Sequence, residues 1–441
     1  MEFAHILQQK LDAYRADDHT MGTLPNKDKS QFLILDRGFD LITPLMHEIS
    51  LQAFVNEFLP IKDSLFTYEV RNNNVPQKKE FLLNESDNLW VDYRHKPIYF
   101  YAKEINKLLK QFSDDKKLKS KKNTSVNDVS QMIKNMPQYQ KEMNKYSAHL
   151  KIAEISLDKM HSLKNYILYQ QNLATGYDVN ESKINDPLRY VREMLSDQTL
   201  ENFDKIKLIL LTILSKETIT KEVLDRICEH INLSEKEEKI ILDFELLGVP
   251  IIKRDKNKKV LEHKNVLLKT ISISLENSRL TRQTNIDVDK ERVSILSQFY
   301  PNYTTKKPPM TFGVRKAKSY VENDMCRWVP NVKDIVEQAV NEKLDKRKFP
   351  ILRNISRNFS SGQQAISVRY GQWHNKEQSQ KSGLRLIIFI IGGVTFSEIR
   401  SIYEIINNNS NNFDIVIGSD MILQHNKIIS SIMDLGSVQN N

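Results

Sequence analysis

A chain of 441 residues with 40% hydrophobic content can bury more than one core, which points to two or three domains. The formal charge of +9 suggests nucleic acid or an acidic membrane, but Lys253–Lys318 holds 16 Lys/Arg against 6 Asp/Glu, a net of +10, which leaves −1 for the rest. The two cysteines, Cys228 and Cys326, exclude a disulfide framework and a CxxC zinc site and fit a reducing compartment.

The N-terminal stretch has no basic-then-apolar signal pattern. Phe3, Ile6, Leu7, Leu11 and Tyr14 recur instead as the apolar stripe of an amphipathic helix. The longest apolar runs, Leu208–Leu214 and Leu386–Val394, fall far short of the ~20 residues that span a bilayer, which predicts a soluble intracellular protein. A polar connection leads to Phe32–Leu35, wholly apolar, the pattern of a strand buried on both faces. Asp36, Arg37, the turn glycine Gly38 and Asp40 follow. An ion pair at the end of a buried strand explains them more simply than catalytic carboxylates do. Pro44 closes the turn into helices, where Leu51, Phe54, Val55, Phe58 and Leu59 recur at helical spacing. Trp90 and Tyr93 anchor the start of a further helical segment, and His95, with no second ligand at a metal spacing, reads as structural. Ser113–Ser125, with five lysines and little apolar content, reads as an exposed loop.

From Met136 the apolar positions Tyr139, Met143, Tyr146, Leu150, Ala153, Leu157 and Met160 follow in steps of three and four, a coiled-coil-grade seam. Pro137 lies inside the pattern, where it removes an amide donor and clashes with the preceding turn. With Val126, Val129 and Ile133 continuing the stripe, this predicts two helical pieces hinged at Pro137. Two readings of the seam stand side by side. It packs on the chain's own next helix, around Leu163–Leu173, or it accepts a helix from a partner.

Phe203–Ser215 and Thr220–Ile231 read as helices, and a third ends at Gly248 and Pro250. Lys253–Lys318 reads as a solvated basic loop, with a surface for acidic membrane or nucleic acid as the alternative. Trp328–Pro330 open a helix through Val332, Ile335, Val336 and Val340, and residues 351–383 form a long polar connection. Strand Leu386–Ile391, helix Ser397–Ile406, strand Phe413–Ile417 and helix Ile422–Met433 then imply parallel pairing with a right-handed crossover. With Phe32–Leu35 added, the fold class is α/β plus mostly α. A parallel-sheet domain, residues 1–44 and 346–441, is split in sequence by a mainly helical domain, residues 45–345. Gly392-Gly393 lacks the GxGxxG spacing and the Walker lysine, so it reads as a tight strand-to-helix turn rather than a phosphate loop. Trp373-His374 has no acid, cysteine or second histidine at ligand spacing. With no nucleophile, metal or cofactor motif, the residues argue for an interaction protein over an enzyme.

LILDRGFD (33–40), FLPIKD (58–63), LWVDYRHK (89–96), SQMIKNMPQYQKEMNKYSAHLKIAE (130–154), LGVPI (247–251), SVRYGQWH (367–374) and RLIIFIIGGVTFSEIRSIYE (385–404) are collinear motifs. They resemble the SM family, the syntaxin-binding proteins of vesicle fusion, and are most similar to its exocytic, neuronal-type members. The resemblance implies an arch-shaped, cytoplasmic, non-enzymatic protein without cofactor. It would clasp syntaxin and template SNARE assembly, sitting peripherally at plasma membrane or secretory vesicles through its SNARE partners. The family's helical hairpin carries a hinge proline, which Pro137 resembles, and a leucine that contacts the vesicle SNARE, which Leu150 resembles. The implied SNARE surface is Pro137, Tyr139, Met143, Tyr146, Leu150, Ala153 and Leu157, which favours the partner-helix reading of the seam. Asp36, Arg37, Gly38, Asp40, Trp90, Gly392 and Gly393 are expected to be structural. Two departures stand out. The chain starts after the family's N-terminal domain, which supplies one wall of the syntaxin clasp, and its basic segment is longer than the corresponding family loop.

Overall fold

The computed structural model describes residues 2–18, 20, 30–72, 75–120, 126–216, 219–247, 251–252, 324–352, 385–408, 414–424 and 427–438. The basic segment 253–318 lies outside these residues, as do Trp373 and His374 of the polar connection. The chain opens with α1 (Glu2–Asp17), β1 (Gln31–Asp36), α2 (Leu51–Phe58), β2 (Ile61–Lys62), β3 (Leu65–Asn72) and β4 (Val75–Leu82). Helices α3 (Asn88–Tyr93), α4 (Ile98–Ser120), α5 (Val126–Thr175), α6 (Pro187–Leu195), α7 (Asn202–Lys216), α8 (Lys221–His230) and α9 (Glu235–Asp243) follow. The last described elements are α10 (Asn331–Val340), β5 (Arg385–Ile391), α11 (Phe396–Asn408), β6 (Asp414–Ser419) and α12 (Lys427–Val438). They fall into two compact units.

The smaller unit takes Met1–Asp36, Pro330–Val394 and Glu398–Met421. Its sheet is parallel, in the order β1-β5-β6, with Phe32 beside Ile387 and Ile387 beside Val416. Segments from opposite ends of the sequence thus complete one sheet, as the apolar runs predict. Leu33, Leu35, Leu386, Ile388 and Ile390 are buried on one face. On the other, Phe32 is 42% and Val416 47% exposed, while Phe3 of α1 stacks on Phe389 at 6.1 Å. The expectation of burial on both faces is therefore corrected. Residue type says what a strand can bury, but β1 and β6 are edge strands among the described residues, and edges carry less cover. The β5–α11 turn uses Gly392 and Gly393 at φ 90° and 99°, a backbone region that side chains rarely enter. Both amides donate to Asp420 Oδ1, at 2.9 and 3.0 Å. A carboxylate of the chain itself sits where a phosphate loop would hold its anion.

The larger unit takes Arg37–Val329, Thr395–Ser397 and Ile422–Asn441. Its first core surrounds α7, where Ile206, Leu208, Ile209, Leu210, Leu211 and Ile213 are all buried, as expected of a helix apolar all round. Ile428, Ile429 and Ile432 of α12 join this core, so the C-terminal helix, expected in the α/β domain, packs with the helices. The second core gathers Leu51 and Val55 of α2, Phe66 and Tyr68 of β3, Trp90 of α3, Tyr101 and Ile105 of α4, and Ala148 and Ile152 of α5.

Three expectations change here. An antiparallel sheet, β2-β3-β4, runs between Pro44 and Trp90, where the sequence predicts only helices. Its signal is the alternation in LFTYEV, with Phe66 and Tyr68 inward, diluted by the lysine-rich partner strand. The lysine-rich run from Ser113 is helical as far as Ser120 rather than a loop. Lysine is a good helix former and the run has no glycine or proline to stop it. Finally, α5 is one helix of 50 residues that passes unbroken through Pro137, not two hinged pieces. Pro137 is exposed, and the long helix on its C-terminal side carries it past the missing hydrogen bond cooperatively.

Candidate functional site: the hairpin of α4 and α5

Helices α4 and α5 pack against each other as a long hairpin. The strip of α5 that is buried is Ala148, His149, Ile152, Ala153, Ser156 and Met160; Ala148, Ile152 and Ala153 share a core with Tyr101, Ala102 and Ile105 of α4, and Met160 shares another with Phe54 of α2 and Ile98 of α4. The predicted seam lies to one side of it. At about 100° per residue, the stripe through Tyr139, Met143, Tyr146, Leu150 and Leu157 is turned roughly a quarter circle from the buried strip. Of the seam residues Ala153 is fully buried, while Tyr146, Leu150 and Leu157 are half-buried. Tyr139 and Met143 are each 37% exposed, and Pro137 is exposed. The helix thus has one apolar face spent on the hairpin and a second left partly open.

The seam's contacts within the chain also differ from the expected ones. Leu163–Leu173 is the continuation of α5 itself and cannot fold back on the seam. The neighbour is the preceding helix. Phe112 of α4 stacks on Tyr139 at 5.4 Å and lies 5.3 Å from Tyr146, so the aromatic end of the seam is tied to α4 and Met143 between them faces out. Lys145 pairs with Glu142 at 2.8 Å, and Lys151 with Glu154 at 2.8 Å. These exposed ties are worth little to stability but keep the stripe's flanks solvated.

Behind the seam lies a polar chain that sequence reading missed. His149 Nε2 is 2.7 Å from Asp87 Oδ2, and Nδ1 is 2.8 Å from the Tyr101 hydroxyl, which also donates to the His149 carbonyl at 2.9 Å. Asp87 Oδ1 in turn accepts from the Leu89 amide at 3.1 Å and caps α3. All three side chains are buried, and Phe81 meets the imidazole edge-on at 5.5 Å. Burial, reinforced by the Asp87 carboxylate, holds the Tyr101 hydroxyl well above its ordinary pKa. The available sequence signal was a histidine at 149 between the buried spacings 148, 152 and 156. Its partners, 62 and 48 residues away, were not foreseeable.

The far end of α5 is fastened differently. Gln170 Oε1 accepts from the His47 amide at 2.9 Å, and Gln170 Nε2 donates to the Leu45 carbonyl at 3.1 Å. Gln171 Oε1 accepts from the Trp328 amide at 2.7 Å, and Asn172 takes a hydrogen bond from Arg327. Trp328 Nε1 donates to Thr43 Oγ1, whose hydroxyl donates to Asp40 Oδ2 at 2.6 Å. Arg37 is buried, donates to the Asp40 carbonyl and lies over the Phe39 ring. Trp90 is buried in the second core beside α4 and α5. Among the described residues no group of three or more His, Cys, Asp or Glu is arranged to hold a metal. No described helix is long and apolar enough to cross a membrane.

The profile of the Sec1 family matches residues 2–431. A protein transport protein sec1 of Dictyostelium discoideum is 30% identical over 98% of this chain, and a protein transport protein sec1 of Schizosaccharomyces pombe is 26% identical over 90%. The chain spans 66% and 52% of the length of these two relatives. Among solved structures, the Unc18 and syntaxin 1 complex from Monosiga brevicollis matches over 98% of this chain and 66% of that one, with a TM-score of 0.69 at 22% identity. The SM protein Vps45, solved in complex with the Qa SNARE Tlg2, matches over 98% of this chain and 64% of that one, with a TM-score of 0.64 at 15% identity. At these identities the structural likeness is one of fold.

Proposed function

The chain belongs to the Sec1 family, and from that premise we propose that it is a non-enzymatic SNARE-binding regulator of vesicle docking and fusion. It binds syntaxin and offers the outer stripe of α5 to a vesicle-SNARE helix during SNARE assembly. The observation that carries this reading is the open apolar stripe itself. Tyr139 and Met143 stay exposed, and Tyr146, Leu150 and Leu157 half-exposed, on a helix whose main hairpin contact is made by another face, with Phe112 of α4 against Tyr139 and Tyr146. An amphipathic helix laid along it would meet apolar anchors at i, i+4, i+7 and i+11, the spacing of helix-in-groove recognition. Pro137 marks the end of the stripe, where α5 has one backbone hydrogen bond fewer and bends most cheaply. Such a protein works in the cytoplasm and reaches the plasma membrane or secretory vesicles through its SNAREs. The relatives support this: one is named a SNARE-interacting protein, and solved structures of similar fold are complexes with syntaxin 1 or a Qa SNARE.

The test is a calorimetric titration of the purified, folded chain with the cytoplasmic region of a plasma-membrane syntaxin and, separately, of a vesicle SNARE. Saturable binding to either supports the reading. A folded chain that binds neither contradicts it.

A further inference from the structure

The two faces of α5 pose a mechanical question: what fixes which stripe of the helix points outward? The buried strip mixes short and long side chains, with Ala148, Ile152 and Ala153 sharing a core with Tyr101, Ala102 and Ile105 of α4. The hydrophobic effect that holds the strip is non-directional, so it ranks neighbouring phases of α5 less sharply than directional bonds do. Ser156 adds no directional tie, since its buried hydroxyl has no hydrogen-bond partner among the described residues.

His149 does supply direction. It stands in the middle of the strip and is bonded at both ring nitrogens, to the α3 cap Asp87 and to Tyr101 of α4. Turning α5 by about 20° moves an atom about 5 Å from its axis by nearly 2 Å. Hydrogen bonds of 2.7 and 2.8 Å do not survive such a displacement. The same turn would strand the Asp87 carboxylate and the imidazole in an apolar core, which costs far more than the packing change.

We propose that His149 is a positioning residue, a rotational lock that fixes the phase of α5 against α3 and α4 and so keeps Tyr139, Met143, Tyr146 and Leu150 presented. The proposal rests on the reading of that stripe as the docking surface, but its test does not need a partner. A buried polar contact that sets register at some expense of stability is a known use of such groups in helical assemblies.

The experiment is a pulsed electron-paramagnetic distance measurement between spin labels at exposed Lys103 on α4 and exposed Asn144 on α5, in a Cys326→Ser background. The wild type is expected to give one narrow distance distribution. His149→Leu keeps the apolar contact but leaves the Asp87 carboxylate without the imidazole, so it is destabilised, and in the folded variant the distribution should broaden about twofold as α5 samples several phases. His149→Gln, whose amide can still reach both partners, should restore the narrow distribution. A His149→Leu protein with the wild-type distribution overturns the proposal, as does a His149→Gln protein as broad as His149→Leu. Should His149→Leu fail to fold, Tyr101→Phe decides, because it removes only the hydroxyl. A broadened distribution supports the lock and an unchanged one refutes it. Failure here leaves the SNARE reading standing, whereas loss of the docking surface would show in the titrations and leave these distances unchanged.

Discussion

The two ends of α5 are one helix built for opposite purposes. Around residues 166–175 the helix is buried on most sides, and Gln170, Gln171 and Asn172 are hydrogen-bonded to residues 45–47, Tyr190 and 327–328. Around residues 137–157 it buries a single strip, Ala148, His149, Ile152, Ala153 and Ser156, holds it with one buried polar chain through His149, and leaves an aromatic and methionine stripe partly open. The first end is an anchor and the second an arm. The difference teaches that length and periodicity do not say what a helix is for. What separates the ends is where their polar groups bond and which faces remain uncovered.

The contrast can be broken most sharply at the anchor. Ile167→Ala, at a fully buried position in the core beside α2, should lose ~3 kcal/mol in denaturant unfolding, whereas Met143→Ala on the arm should stay within about 0.5 kcal/mol. Equal losses at the two sites would erase the distinction. A smaller effect tests the link between arm and body. Tyr101→Phe should cost ~1 kcal/mol at neutral pH, because the His149 carbonyl and ring lose their shared hydroxyl partner. The sign of its pH dependence follows from the raised pKa of the hydroxyl. The stabilisation from a neutral Tyr101 is complete below the ordinary tyrosine value of 10.0 and is lost as pH rises through the higher folded value. The gap between wild type and Tyr101→Phe should therefore narrow above pH 10.0, as read from unfolding curves on either side of that value. A gap that widens there would contradict the buried, neutral hydroxyl.

Smaller still is the effect expected at Lys207, fully buried in the first core with Asp204 3.1 Å away. Burial depresses its pKa below 10.5, with Asp204 opposing the shift. Its folded form therefore carries a desolvation cost at neutral pH that fades as pH rises towards 10.5. Lys207→Met should leave stability unchanged or raise it by about 1 kcal/mol at pH 7. A large loss would mean that the ion pair outweighs its desolvation.

Much of this was legible in the residues. The apolar runs at Phe32–Leu35 and Leu386–Ile391 marked two parallel neighbours, because strands of α/β sheets announce themselves by composition. The heptad spacing from Tyr139 to Leu157 located the arm. The phase of that helix was not legible, since the strip that α4 covers mixes short and long side chains with a histidine whose partners come from distant segments. Pro137 was read as a break, but solvent exposure and cooperativity let the helix run on. The β3–β4 hairpin escaped because its second strand is VPQKKEFL, polar enough to hide the alternation of the first.

The measurement that bears most directly on the arm is a calorimetric titration of wild type and Leu150→Asp with the cytoplasmic region of a vesicle SNARE, alongside unfolding curves for both proteins. Leu150 is half-buried at the centre of the stripe. The charge should weaken binding at least ~10-fold while stability changes by no more than about 1 kcal/mol. Wild-type affinity in a folded Leu150→Asp protein would contradict the assignment of this face to a partner helix.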